Sequence, residues 1–133
     1  MNKERILALA DLIEKQPHTP VQAESGFNMA DLVRECGTPA CIAGWAAWEE
    51  EGRPAAVSAP DTGWCLERKA QQYLGLAPSG EAELSDTAYS LFYPEGDQVG
   101  FYDEITPAQA AACLRHLAET GEVDWDHAMG VAA

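Results

Sequence analysis

Basic residues are scarce in this sequence of 133 residues. Eight lysines and arginines stand against 22 aspartates and glutamates, which gives a formal net charge of −14. The eight are scattered along the chain, so no cluster is available to neutralise a row of phosphates. We therefore expect no direct binding of nucleic acid and no attraction to anionic membranes. The excess of acidic residues has three possible roles: to bind a basic protein partner, to imitate DNA toward a DNA-binding protein, or only to keep the chain soluble.

Long hydrophobic runs are missing as well. No apolar stretch approaches the roughly 20 residues that span a bilayer. Residues 1–5 mix charged and polar side chains and lead to no cleavage-site pattern, so we expect no signal peptide and a cytoplasmic location. In that compartment the four cysteines are expected to be thiols rather than disulfides.

Strand patterns, internal repeats and linkers are also absent from the sequence, whereas helix signals recur. Asn2 precedes an amphipathic segment that runs to Gln16, and Thr106 with Gln109 forms a capping box before a second one that runs to Gly121. Two further long helices are predicted, at 40–48 and from Asp61 or Thr62 to Leu74. Short helical segments are predicted at 28–33 and 85–92, and a brief extended segment at 99–102. We therefore predict an all-α fold. It is a single compact domain over residues 1–133, with four or five helices and long loops rather than a regular up-down bundle.

The most distinctive segment is residues 35–48, ECGTPACIAGWAAW. Thr38 would cap a helix and Pro39 would occupy its first position, and the apolar residues that follow predict that this helix is buried. Gly44 lies inside it, where glycine costs about 1 kcal/mol relative to alanine. We therefore expect Gly44 and Ala47 to face another helix at close range.

The cysteines allow two kinds of chemistry. A thiol at a helix start is favoured as thiolate, so Cys36 or Cys41 is a candidate nucleophile of a cysteine-dependent hydrolase, with His116 as base. Alternatively, Cys36, Cys41, Cys113 and His116 would form a tetrahedral zinc site, with Cys65 as a further ligand. Structural zinc ligands usually come as C-x₂-C pairs, and this sequence has none.

The cysteine segment also resembles the nucleophile segment of papain-like bacteriocin-processing peptidases, in which a D/E-C-G-x-x-C run opens the central helix. The resemblance implies Cys36 as nucleophile. It extends no further, because those enzymes take their histidine from a downstream β-strand and no such strand is predicted here.

A contact surface is predicted where the central helix ends. Three successive carboxylates oppose the helix dipole there, and tryptophans lie before and after them in the sequence. The predicted surface consists of Trp48, Glu49, Glu50, Glu51 and Trp64. The pairs Phe92-Tyr93 and Phe101-Tyr102 would add an apolar patch wherever they are exposed.

Several segments together resemble a family of small uncharacterised proteins of bacteria and their phages and prophages. They are residues 2–7, 27–29, 70–76, 105–121 and, above all, the run CGTPACIAGW at 36–45. This resemblance implies an origin in phages or other mobile elements, and it implies no reaction.

We therefore expect a non-enzymatic helical protein that needs no cofactor and binds a protein partner, a basic one for preference, through its acidic surface. The cysteine-dependent hydrolase and the small zinc-binding domain are the alternatives. The sequence leaves the oligomeric state open.

Overall fold

A computed structural model describes residues 1–34, 36–57, 65–77 and 83–131. These residues form seven α-helices, a 3₁₀ turn at Tyr102–Glu104 and two isolated β-bridges, with no strand among them. The helices are α1 (Lys3–Glu14), α2 (Ile42–Glu50), α3 (Cys65–Leu74), α4 (Asp86–Phe92), α5 (Gly96–Val99), α6 (Pro107–Thr120) and α7 (Trp125–Met129). None of these helices is both long and apolar enough to cross a membrane.

Two helix pairs build the structure. α1 packs along α6 and α2 packs along α3, while α1 also touches both α2 and α3. The short helices close the remaining sides, with α4 against α2 and α7 against α5 and α6. One apolar core collects side chains from every α-helix, and its largest fully buried side chain is Trp125. Trp125 is anchored by its indole N–H, which donates to Ser90 O at 3.0 Å.

The all-α prediction is confirmed, but the number of helices is higher than predicted. α5 and α7 have four and five residues, which is too short for a helical period to show in the sequence. The two longest helices, α1 and α6, begin at the predicted caps. Asn2 Oδ1 accepts from the Arg5 N–H at 3.1 Å, and both bonds of the capping box between Thr106 and Gln109 are present.

The predicted start of the central helix is wrong. α2 begins at Ile42, and its N-cap is Cys41, whose Sγ accepts from the Gly44 N–H at 3.4 Å. Thr38 belongs instead to a hairpin loop, because the Arg34 N–H donates to Thr38 O and residues 33 and 39 form a β-bridge. Gly37 turns this loop at a φ of +90°, a backbone conformation that residues with a side chain rarely adopt.

Two further local predictions are wrong. Residues 28–33 are not helical, because their backbone pairs with Ala40, which precedes α2: the Asn28 N–H donates to Ala40 O and the Ala40 N–H to Leu32 O. The extended segment predicted at 99–102 is α5 followed by the 3₁₀ turn. The cap predicted at Asp61 or Thr62 lies outside the described residues.

Gly44 marks the closest approach between two segments. A Cβ at Gly44 would overlap Leu32 O, so the expected close packing is confirmed. The neighbour is not a helix, however, but the backbone of the loop that precedes α2. Ala47, one turn further on, packs with Val57 and with Leu66 of α3.

Replacing Gly44 with alanine should therefore destabilise the protein. The new methyl group meets a carbonyl oxygen that belongs to the backbone, so we expect a loss on the order of 1–3 kcal/mol or more in the free energy of unfolding, measured by urea denaturation. The control is Gly96→Ala, where an added Cβ meets nothing within 4 Å and the change should stay within about 0.5 kcal/mol. Equal unfolding midpoints for the two variants would contradict the packing described here.

Candidate functional site

The three carboxylates at the end of α2 are paired within the chain. Each has a cation from a different place in the sequence: Glu49 with Arg53 (2.8 Å), Glu50 with Arg5 (3.9 Å) and Glu51 with Lys69 (3.6 Å). These cations offset the unfavourable position of the carboxylates at the negative end of the helix dipole. The acidic part of the predicted contact surface is thus compensated locally.

Trp48 of the same predicted surface is also held by its neighbours. Its indole N–H donates to Pro54 O at 3.0 Å, the Arg53 guanidinium lies 5.2 Å from its ring centroid, and Trp45 meets it edge-on at 5.3 Å. Trp64 lies outside the described residues. To bind another protein, Trp48 and the three glutamates would have to give up contacts that they already make.

The cysteine side chains lie in different environments. Cys36 is exposed in the hairpin loop, where its thiol donates to Glu24 O at 3.5 Å and shares a hydrogen bond with Thr38 Oγ1 at 3.3 Å. The bonds with Thr38 lower the pKa of Cys36. Cys41 and Cys113 are buried, and burial raises the pKa of each thiol to about 12. The side chain of Cys65 is outside the described part of the structure.

His116 is placed with a different set of groups. Its ring lies 4.8 Å from that of His127, and its Nε2 is 4.0 Å from Asp124 Oδ2. Among the described residues, no three His, Cys, Asp or Glu side chains are grouped so that they could hold a metal ion. The structure therefore does not bring Cys36, Cys41, Cys113 and His116 together. Neither hydrogen bond of the Cys36 thiol involves a histidine, although a general base has to lie within hydrogen-bond reach.

Arg34 is the important residue that the sequence did not reveal. It is only 3 % exposed, and its guanidinium donates to five oxygens at 2.6–3.2 Å. The acceptors all belong to the preceding loop: the carbonyls of Pro20, Val21, Ala23 and Gly26 and the hydroxyl of Thr19. A buried charge persists only when it is well hydrogen-bonded. Arg34 therefore holds residues 19–26 in place against the hairpin loop.

The loop held by Arg34 forms one wall of an open cavity of about 370 Å³. Its lining consists of His18, Thr19, Pro20, Val21, Gln22, Asn28 and Asp103. His18 joins the wall to the 3₁₀ turn, since its Nε2–H donates to Asp103 O at 2.8 Å. The side chain of Asn28 supports the wall from inside through its bond to Thr19 O at 3.0 Å.

Asp103 of the cavity lining belongs to a long stretch of sequence that has no basic residue. Residues 70–114 contain no lysine, arginine or histidine. The described part of this stretch exposes two aromatic rings, Tyr89 (49 % exposed) and Phe101 (74 %). It also exposes carboxylates that make no ion pair with any described residue. We call Tyr89, Glu95, Asp97, Phe101, Asp103 and Glu104 the acidic–aromatic surface.

Tyrosine contacts hold this surface together. The Tyr102 hydroxyl donates to Pro94 O at 2.6 Å, and the rings of Tyr89 and Tyr93 lie 5.6 Å apart. Burial raises the pKa of Tyr102, and the nearby Tyr89 and Glu95 raise it further. The end of α4, α5 and the 3₁₀ turn therefore form one continuous piece of surface.

Comparison with protein-family models, with curated protein sequences and with solved structures gives no match to this chain. Its function has to be inferred from its own residues.

Arg34→Met should loosen the loop that forms the cavity wall. The substitution removes the guanidinium from five oxygens, of which Pro20 O keeps the Ala23 N–H as donor. We therefore expect a loss on the order of 3 kcal/mol in the free energy of unfolding and faster proteolysis within residues 19–26. The control is Arg115→Met, which removes exposed ion pairs with Asp11 and Glu14 and should cost no more than about 1 kcal/mol. A loop equally protected in both variants would contradict the role given to Arg34.

The cysteines of the folded protein should differ in their rates of alkylation. Cys36 is exposed and its pKa is lowered, so it should react before Cys41 and Cys113, and its reaction should persist to lower pH than that of an unperturbed thiol. Cys41 and Cys113 should stay unmodified until the protein unfolds, because they are buried and neutral at pH 7. Peptide mass mapping after timed iodoacetamide treatment checks the order. Labelling of Cys41 at the rate of Cys36 would contradict it.

Proposed function

We propose that this chain is a non-enzymatic protein-interaction module that binds a basic partner through the acidic–aromatic surface. The observation that carries the proposal is the exposure of Phe101 and Tyr89 among carboxylates that have no cation within the described residues. A DNA-binding protein is one kind of partner with the required charge. The resemblance of residues 36–45 to small bacterial and phage proteins suggests a mobile-element origin and is compatible with this role.

The two acidic regions of the molecule differ in what they offer a partner. At the end of α2, Glu49, Glu50 and Glu51 already face Arg53, Arg5 and Lys69. Glu95, Asp97, Asp103 and Glu104 make no such pairs with described residues, so a lysine or arginine of a partner would meet carboxylates that need not first release another cation. This difference favours the acidic–aromatic surface over the one that the sequence predicts.

Aromatic rings and carboxylates contribute to binding in different ways. Exposed carboxylates steer a basic partner and raise its association rate, an effect that weakens with salt. Exposed aromatic side chains contribute more of the affinity, since tyrosine and other large residues dominate the energetic centres of protein interfaces. Phe101, the most exposed large apolar residue of the described chain, is the expected centre.

The enzymatic alternative has less support. The exposed thiol of Cys36 is the more reactive one, but both of its hydrogen bonds are to groups that cannot act as a general base at neutral pH, a carbonyl and a hydroxyl. Cys41 is kept neutral by burial. A zinc-binding domain would need several Cys, His, Asp or Glu side chains close together, and the described residues contain no such group.

Two substitutions within the acidic–aromatic surface test the proposed function. The protein is immobilised and exposed to cell extract at low and at physiological salt, and retained proteins are quantified. Glu104→Lys should abolish retention of the partner, and Phe101→Ala should reduce it about tenfold, the effect of losing a central aromatic contact. Both side chains are exposed, so the fold should be unchanged.

The matched control is Glu119→Lys, the same charge reversal at an exposed position of α6 outside the surface. It should retain the partner nearly as well as the unmodified protein. The proposal fails when no protein is retained at low salt, where electrostatic attraction is strongest, or when Glu104→Lys and Glu119→Lys behave alike.

A further inference from the structure

We propose that the cavity between the loop and the 3₁₀ turn receives an arginine side chain of the basic partner. This inference rests on the proposed function, because it assigns one residue of the partner to one place beside the acidic–aromatic surface. In this proposal the cavity recognises one specific side chain of the partner, and the rest of the surface attracts the partner through its negative charge.

The cavity has enough room for a side chain. Its volume of about 370 Å³ lies at the lower end of the range for ligand sites, roughly 300–1,000 Å³. It is also open to solvent on the side where a partner would approach, since Gln22 and Asp103 of its lining are exposed residues.

Two polar side chains of the lining are available to a ligand. Within the described structure, the Asp103 carboxylate and the Gln22 amide form no hydrogen bond, whereas Asn28 and Thr19 use their polar atoms to hold the loop. Asp103 and Gln22 supply acceptors that suit a donor with several N–H groups. Guanidinium carries five N–H groups in a fixed plane and pairs with a carboxylate through two parallel bonds.

The charges around the cavity favour a cation. Asp103 in the lining and Glu104 beside it are both exposed carboxylates. The cation in contact with this wall is Arg34, which lies on the inner side of the loop with both terminal nitrogens bonded to loop oxygens. The wall thus has one buried positive charge that is already bonded to loop oxygens, the 3₁₀ turn carries two exposed negative charges, and the chain as a whole is strongly negative.

An exposed aromatic ring in the same turn as Asp103 favours arginine over lysine. Phe101 is 74 % exposed and belongs to the same turn as Asp103, because the Glu104 N–H donates to Phe101 O at 3.0 Å. A planar guanidinium stacks on an aromatic face while it pairs with a carboxylate, and an ammonium group lacks this second contact.

The test uses the full chain labelled with ¹⁵N and three short peptides that differ at one position, acetyl-Gly-Xaa-Gly-amide with arginine, lysine or citrulline. The arginine peptide should give saturable shifts at the amides of Val21, Gln22 and Asp103, with a dissociation constant of about 1 mM, as expected of a single anchored side chain. Citrulline keeps the shape and loses the charge, so it should give no saturable shift. Lysine should bind several-fold more weakly.

Two variants locate the site. Asp103→Asn should weaken arginine-peptide binding about tenfold, in line with the loss of one charged hydrogen-bonding partner. Gln22→Trp should block binding by filling the cavity, whereas Gln72→Trp, the same change at an exposed position of α3, should leave it unaltered.

The outcomes separate this inference from the proposed function. Three results would overturn the arginine site: shifts confined to residues 86–99, equal binding of the lysine peptide, or arginine-peptide binding that Gln22→Trp leaves unchanged. In any of these cases, retention of a partner that is sensitive to Glu104→Lys would still support the interaction surface. Saturable binding in the cavity without any retained partner would support an arginine site and contradict the proposed function.

Discussion

The buried guanidinium of Arg34 is the interaction on which the candidate site depends. A chain with few cations places one of them inside, where five loop oxygens replace its water. This holds residues 19–26 against the hairpin loop, and the same hairpin segment approaches α2 at Gly44 so closely that no side chain fits between them. The cavity wall, the hairpin loop and the start of α2 are therefore one connected arrangement, although little regular secondary structure joins them.

The distribution of charge shows why net charge alone says little about an interface. The end of α2 and the acidic–aromatic surface both carry clustered carboxylates, yet only the first has cations brought to it, from residues as distant in sequence as Arg5 and Lys69. Pairing of this kind depends on which elements pack together. In this chain the packing of α2 against α1 and α3 compensates one acidic cluster, and no described cation reaches the other.

Local signals predicted the structure well where they act over a few residues. Asn2, Ser85 and the pair of Thr106 and Gln109 begin helices as expected, because a cap needs only its own side chain and the next turn of backbone. The prediction for Thr38 failed for the opposite reason. The backbone of Thr38 is taken up by the hairpin between residues 33 and 39, and its hydroxyl donates to Glu24 O, 14 residues earlier in the chain, instead of capping a helix.

The sequence by itself determined the helical class, the longest helices with their caps, the close packing at Gly44 and the strong negative charge, all of which follow from composition and from spacing along one segment. Only the tertiary structure decided which carboxylates are compensated, which thiols are buried, and that Arg34 lies inside while Phe101 lies outside. Burial and pairing are properties of contacts between segments, and the same arginine or phenylalanine has no local feature that distinguishes a core position from a surface one.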